Sequence, residues 1–408
     1  MGLTKTLVKT LEKVLTKEEV QQRICRLYQK VNAAQKEWDA VFIFNKVNQY
    51  YLTGTMQDGT FVLKSDGSYA YFVRRSYERA KLECLIDAVY PMRSFADVKQ
   101  VIGEDIHTIY LETDTVTLSI QERLEKYFDI DAVYSADNLI SKVRAIKSAY
   151  ELECLREAGE RNRILLYDVL PPILEKVEGI NEADMSAIVF KEMIQLGYHG
   201  YTRMSMFQGE MVVGEITFGN NSIYPNCYYG PGGIKGISPA TPFVGDRERT
   251  LKKGDLIFID IGFGMYGYNV DCTQVYMYKA DVPEVCQKAH RECLALIKKT
   301  AAMLKPGNIP SQIYRDVLSD KEPAFFENFM GFGSETMPFL GHGVGLHVDE
   351  YPVIAKGFDE PLEENMVIAL EPKKGCVNHG MVGVEDTYIV TPNGGECITF
   401  GEREIIVI

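Results

Sequence analysis

Two pairs of acids and one glycine-flanked histidine are the residues of this sequence best placed to do chemistry. Gly254-Asp255-Leu256-Ile257-Phe258-Ile259-Asp260-Ile261-Gly262 and Tyr268-Asn269-Val270-Asp271-Cys272-Thr273-Gln274-Val275 are apolar, β-branched-rich runs joined by a short glycine-bearing link. That is the pattern of an antiparallel hairpin. A turn centred on Met265 and Tyr266 would set Asp260 directly opposite Asp271, with Cβ atoms about 4.5–5.5 Å apart, where like charges repel unless a cation neutralises them. A turn one residue off would instead leave one Asp capping a strand end in water.

The motif recurs. Met366-Val367-Ile368-Ala369-Leu370-Glu371 and Met381-Val382-Gly383-Val384-Glu385-Asp386-Thr387-Tyr388-Ile389-Val390 are joined through Gly375, Asn378 and Gly380, and a link centred on Asn378 opposes Glu371 to Glu385. Between the hairpins lies Gly341-His342-Gly343-Val344-Gly345-Leu346-His347-Val348-Asp349-Glu350, where glycines permit close backbone approach and an imidazole is offered beside them. Four carboxylates and one His suit two divalent cations such as Mn²⁺, Co²⁺, Fe²⁺ or Zn²⁺. Paired ions of that kind activate a shared water for hydrolysis.

The order Asp260, Asp271, His342, Glu371, Glu385 resembles the ligand order of the pita-bread metallopeptidases (M24), which include methionine aminopeptidase, aminopeptidase P and prolidase. Leu52-Thr53-Gly54 after a Tyr pair, and Arg144-Ala145-Ile146-Lys147-Ser148 before a helix, look like the two-domain prolidase and aminopeptidase P branch, so the resemblance spans nearly the whole chain. It implies an α/β creatinase-like N-terminal domain followed by an α+β pita-bread domain. It further implies a Xaa-Pro aminopeptidase or dipeptidase with two metal ions, a water between them, Glu371 as general base and a homodimeric assembly.

The sequence departs from that family at substrate contacts. Aligned on Lys253-Gly254-Asp255, the dipeptide that normally ends in a substrate-contacting His is Pro242-Phe243, and Phe cannot donate a hydrogen bond. In the histidine segment an Asp, Asp349, holds the place of the family's second His, and a His, His347, holds that of its acid. In an extended segment His347 and Asp349 would share a face, so that His347 reaches substrate from a shifted origin or serves as a hydrogen-bonded support. The Arg that often precedes the last Glu by two is Gly383 here. Phe243, His347 and Asp349 are therefore the candidate substrate contacts, with Glu371, His347 and Asp349 the candidate catalytic groups. A changed carbonyl-contacting set also leaves open a non-peptide amide or modified amino acid as substrate. A non-catalytic binding role is the third reading, but pita-bread relatives of that kind typically lose ligands and all five are present.

The elements that must position these groups follow from length and pattern. At 408 residues the chain exceeds what one hydrophobic core usually supports, so two domains are expected, at 1–148 and 149–408. Thr16-Lys17-Glu18-Glu19 caps a helix within residues 1 to about 36, carrying Val20, Ile24, Leu27 and Val31 on one face. Strands are expected at 40–44, 60–63 and 69–73. Ser148-Ala149-Tyr150-Glu151 opens the first helix of the second domain, further helices run from near Asn181 to Gly197 and from Glu284 to Met303, and Pro306-Gly307 stops the last. Residues 200–250, rich in Gly, Asn, Tyr and Pro, read as a long loop walling the active site.

A formal charge of −13 and a pI near 5.1 argue against nucleic acid or an anionic membrane as partner. Nine scattered cysteines fit a reducing compartment, with Cys272 directed away from the face of Asp271. No apolar run has the length of a membrane span or the look of a secretory signal, so a cytoplasmic protein is expected. Met1-Gly2 with Thr6 fits an N-myristoylation pattern only loosely.

Overall fold

Ser148 begins the part of the chain that carries the site, and it does so as a reciprocal cap. Its hydroxyl accepts the Glu151 N–H at 3.3 Å while Glu151 accepts the Ser148 N–H at 2.9 Å, satisfying two of the donors a helix start leaves over. The helix Ala149–Arg163 follows. This computed structural model describes residues 15–34, 37–207, 209–399, 401 and 403–408. The Met1-Gly2 pattern and the ends of the expected 1–36 helix lie outside the described residues. Within them Lys17–Ala34 is helical, and Glu19 N–H donates to Thr16 Oγ1 at 3.2 Å as the capping pattern requires.

The described residues divide into two compact units, one ending at Arg144 and the other starting at Ala145. The first is built on a mixed six-stranded sheet with Val89–Pro91, Tyr69–Arg75, Asp58–Lys64, Ala40–Ile43, Thr108–Leu111 and Ala132–Ser135 in spatial order. The Ala40–Ile43 strand pairs antiparallel with Asp58–Lys64 and parallel with Thr108–Leu111, and Phe42, Val62, Phe72, Ile109 and Leu111 are buried in one cluster beneath the helices. Burying each such side chain contributes roughly 1.5–3 kcal/mol. The buried Glu112 carboxylate accepts the Phe44 and Asn45 N–H groups and Asn48 Nδ2 at 2.6–2.7 Å, fixing the start of the helix Lys46–Thr53.

The second unit carries three two-stranded sheets and two larger ones. One orders Ile406–Val407, Tyr268–Met277, Leu256–Met265 and Glu215–Phe218; the other orders Glu350–Ala355, Phe339–Gly343, Val367–Leu370, Asp386–Thr391 and Gly394–Cys397. They meet where Thr273 N–H donates to Glu385 O at 3.2 Å and where Asp271 N–H and Thr387 Oγ1 are 2.9 Å apart. The helices Glu182–Gln195, Glu284–Ala302 and Pro310–Leu318 complete the unit. Leu256, Phe258, Val275 and Met277 bury one end of a face of the aspartate hairpin against Cys286 and Ala289 of the helix Glu284–Ala302, and Asp260 and Asp271 follow on that same face nearer the turn. Among the described residues no helix is long and apolar enough to cross a membrane.

The aspartate hairpin turns one residue later than the sequence suggests. Tyr266 and Gly267 both have positive φ, at 54° and 90°, so the two-residue link is Tyr266-Gly267 rather than Met265-Tyr266. Two left-handed residues in the link match the strand twist of a tight hairpin, and Gly267 adopts that conformation at no steric cost. Asp260 is therefore opposite Thr273, and Asp271 opposite Gly262. The two aspartates share a face on the diagonal instead of standing side by side.

Residues 200–250 are not one uninterrupted loop. Glu215–Phe218 is a strand paired with the aspartate hairpin, in register Asp260↔Glu215. Its end is tied down by Glu182, fully buried, which accepts Phe218 N–H at 2.7 Å, Asp246 N–H at 2.9 Å and Asn221 Nδ2 at 3.0 Å.

Candidate metal centre

The glutamate pair follows the sequence closely. Leu370 faces Asp386 and Lys373 faces Gly383, so the register is continuous on both sides of Glu371 and Glu385 and turns about Asn378, whose φ is +64°. The pair also shares its strand face with Lys373, two residues after Glu371. The Lys373 ammonium, with 1% of its side chain exposed, donates to Asp260 Oδ2 at 2.7 Å, Glu371 Oε2 at 2.8 Å and Glu385 Oε2 at 2.6 Å. Three N–H bonds meet three carboxylates. Burial opposes the charge on that amine, but the carboxylates of Asp260, Glu371 and Glu385 more than offset it and hold the pKa well above the usual lysine value. Lys373 was legible in the sequence only as part of a Lys-Lys pair; its period-two relation to Glu371 was the available signal. Lys374 points elsewhere, to Glu292 at 3.0 Å.

The other oxygens of the glutamates face His342. Its Nε2 is 3.2 Å from Glu371 Oε1 and 3.9 Å from Glu385 Oε1, and Nδ1 is 3.1 Å from Gly343 O. Pairing of Phe339–Gly343 with Val367–Leu370, with His342 opposite Ala369, brings the ring to the end of the strand that leads into Glu371. Nδ1–H donation to Gly343 would leave the Nε2 lone pair free as a ligand. Burial lowers the imidazole pKa, but the bond to Glu371 and the charges of Glu371, Glu385 and Asp271 outweigh it and raise the pKa to about 10 in the absence of an ion. Burial and then the charge of Glu385 push Asp271 well above the carboxylate range; burial also raises Asp260, to about 6, against the pull of Lys373.

A divalent ion fits one part of this cluster. Ligand atoms of Asp271, His342 and Glu385 lie within 4.8 Å of one another, and Glu385 Oε1 is buried without a hydrogen-bond partner, which a native protein rarely tolerates without a ligand. Oxygen and imidazole donors suit Mn²⁺, Fe²⁺, Co²⁺ or Zn²⁺. Asp260 is not part of this three-residue group; its Oδ2 is committed to Lys373.

Glu215, which the sequence reading did not single out, adds a fifth acid. It stands across from Asp260, its Oε1 accepts Asn226 Nδ2 at 2.7 Å, and its Oε2 is buried without a partner. Burial first, and then the charge of Asp260, raise it to about 8. Its strand was hidden in the stretch read as loop.

An open cleft leads to these groups. Its walls include Met204, Met211, Tyr228 and Tyr229 of the 200–250 segment, together with Val348 and Asp349. Residues 345–349 bend rather than run extended, so His347 and Asp349 do not share a strand face. Asp349 reaches the cleft, where its carboxylate accepts Ser205 N–H at 2.5 Å, Ser205 Oγ at 2.9 Å and Met206 N–H at 3.3 Å. His347 is buried, its N–H donating to Glu350 Oε1 at 2.9 Å, and it is not part of the lining. Phe243 also stays out of the lining: its ring packs on Tyr228 at 5.3 Å, one residue layer behind the wall. His342 is the one imidazole in the wall among the described residues.

Comparison with known proteins agrees with this architecture. A Xaa-Pro dipeptidase of Pyrococcus furiosus is 26% identical over 373 residues, covering 90% of this chain and 95% of its own length. A Xaa-Pro dipeptidase of Pyrococcus horikoshii is 28% identical over 376 residues, covering 90% of this chain and 94% of the relative. The crystal structure of the prolidase from P. horikoshii OT3 superposes with a TM-score of 0.74 at 25% identity, over 94% of this chain and all of the other. The creatinase/prolidase N-terminal domain matches residues 23–146. With residues 153–392 matching the pattern of metallopeptidase family M24, this chain belongs to that family and has its creatinase-like domain followed by the pita-bread domain.

Proposed function

We propose that the chain is a metal-dependent peptidase that releases the N-terminal residue from short Xaa-Pro peptides, foremost dipeptides. The observation that carries this is the convergence of Asp271, His342 and Glu385 donors at the floor of a cleft, with Glu371 beside them. The names of the P. furiosus and P. horikoshii relatives point to the same substrate. A divalent ion held there would supply Lewis acidity, lowering the pKa of the attacking water and polarising the amide carbonyl. Glu371 is positioned to take the water's proton and return it to the departing nitrogen. Met204, Met211 and Val348 offer apolar contact to a pyrrolidine ring, and Asp349, fixed by Ser205 and Met206, holds the rim beside it.

With one imidazole in the wall, a non-peptide amide is the second reading, since fewer donors face a peptide carbonyl. Purified, metal-supplemented protein offered Xaa-Pro dipeptides, Xaa-Pro tripeptides, Xaa-Ala controls and N-acyl amino acids decides between them. Free proline from the dipeptides supports the first reading, and turnover confined to N-acyl compounds replaces it with the second. We further propose a cytoplasmic homodimer, from the resemblance to two-domain relatives and from cysteines that are mostly buried. Light scattering that reports monomer mass would remove the dimer.

A further inference from the structure

Glu371 and Glu385 each divide their oxygens between two positions. Oε2 of both accepts from Lys373, while Oε1 of both faces His342. The cluster thus has two places for positive charge side by side, sharing the two glutamates as a bridge. An ammonium fills one of them, and the other is lined by Asp271, His342 and Glu385 with an unpartnered buried oxygen.

We propose that Lys373 is a built-in replacement for one of two metal ions, so that this chain binds a single divalent cation. The inference rests on the metal-dependent reading above and sharpens it. Divalent ions sit about 2.0–2.2 Å from carboxylate oxygens, and Nζ stands at 2.6–2.8 Å from three such oxygens. An ion bound by those three would have to occupy the volume the ammonium already holds. Nor is Lys373 free to withdraw: its side chain is fully buried and every N–H of the ammonium has a carboxylate acceptor. Swinging it aside would strand a charge in the interior. Asp260 is accordingly a partner of Lys373 here, and Asp271 a ligand.

This assigns distinct roles to the cluster. The ammonium fixes Asp260 Oδ2 and the two Oε2 atoms, and so orients Oε1 of each glutamate toward the open position. It also supplies positive charge without a second exchangeable ion.

Metal analysis of protein saturated with Mn²⁺ and freed of excess, combined with electron paramagnetic resonance of the bound ion, tests the proposal without reference to activity. Wild type is expected to hold one Mn²⁺ per chain with the spectrum of an isolated ion, and Lys373→Gly, which vacates the position, to hold two with an exchange-coupled spectrum. Lys373→Ala serves if the glycine variant does not fold. Two coupled ions in wild type would overturn the proposal and leave the metallopeptidase reading intact; no bound ion would overturn both. A variant that folds and still binds one ion would show that something other than the ammonium blocks the second position, and would also overturn it.

Discussion

Replacing Glu182 by Ala should loosen the wall of the cleft, by an amount the structure fixes. Its carboxylate is fully buried and accepts two backbone N–H groups, from Phe218 and Asp246, and one side-chain donor, Asn221 Nδ2. An orphaned buried donor costs about 1–3 kcal/mol, so two stranded backbone N–H groups give roughly 2–6 kcal/mol. Glu182→Gln discriminates more finely. With its carbonyl in the Oε2 place it keeps the Asp246 and Asn221 donors and confronts only Phe218 with an amide N–H, for about 1–3 kcal/mol. Because Phe218 ends the strand that holds Glu215 against Asp260, cleavage within residues 219–246 should also become faster. Urea unfolding and limited proteolysis of wild type and both variants read these effects. If both variants unfold within about 0.5 kcal/mol of wild type and resist protease equally, Glu182 does not anchor this segment and the reasoning is wrong.

Gly232→Ala would place a Cβ 1.9 Å from Glu215 Oε2 and 3.1 Å from Phe258 Cε1; peptidase activity should fall by about tenfold or more while most of the fold persists, as steady-state kinetics beside circular dichroism would show. His342→Ala should weaken divalent-ion binding by more than about tenfold in calorimetric titration, with secondary structure retained. Burial, with the nearby charge of Arg203, depresses His199 to about 4 from its ordinary 6.5. Between those values the unfolded state binds the extra proton, so this group's contribution is complete above pH 6.5 and is lost as pH falls through 4. Urea midpoints across pH 4–7 should fall less steeply for His199→Leu than for wild type.

The parts of this molecule set by short-range rules were the parts legible in the sequence. Both Ser148 and Thr16 cap helices where their spacing to Glu151 and Glu19 says they should. Asn378 lies at the tip of the glutamate hairpin, in the left-handed conformation that an Asn tolerates. The aspartate hairpin slipped because Tyr266, a residue that seldom takes positive φ, does so here beside Gly267, and a shift of the turn by one residue moves every partner across the ladder by two. Asp260 and Asp271 kept a common face through that shift, which is why the acid cluster survives it. What pattern alone did not reveal depends on long-range packing. Glu215 reaches Asp260 only because a short strand inside a Gly-rich stretch adds to the sheet. His347 leaves the cleft because residues 345–349 bend instead of continuing the strand. Lys373 was overlooked because a search for anionic ligands passes over a cation placed among them.

Whether an ion held by Asp271 drives the reaction can be read from hydrolysis of a Xaa-Pro dipeptide by wild type and Asp271→Asn, each after chelation and again after Mn²⁺ or Co²⁺ is restored. Proline release by wild type should vanish on chelation and return with the ion, and Asp271→Asn should release almost none under any condition. Release that persists undiminished in excess chelator, or an Asp271→Asn variant as active as wild type, would contradict that role of the ion.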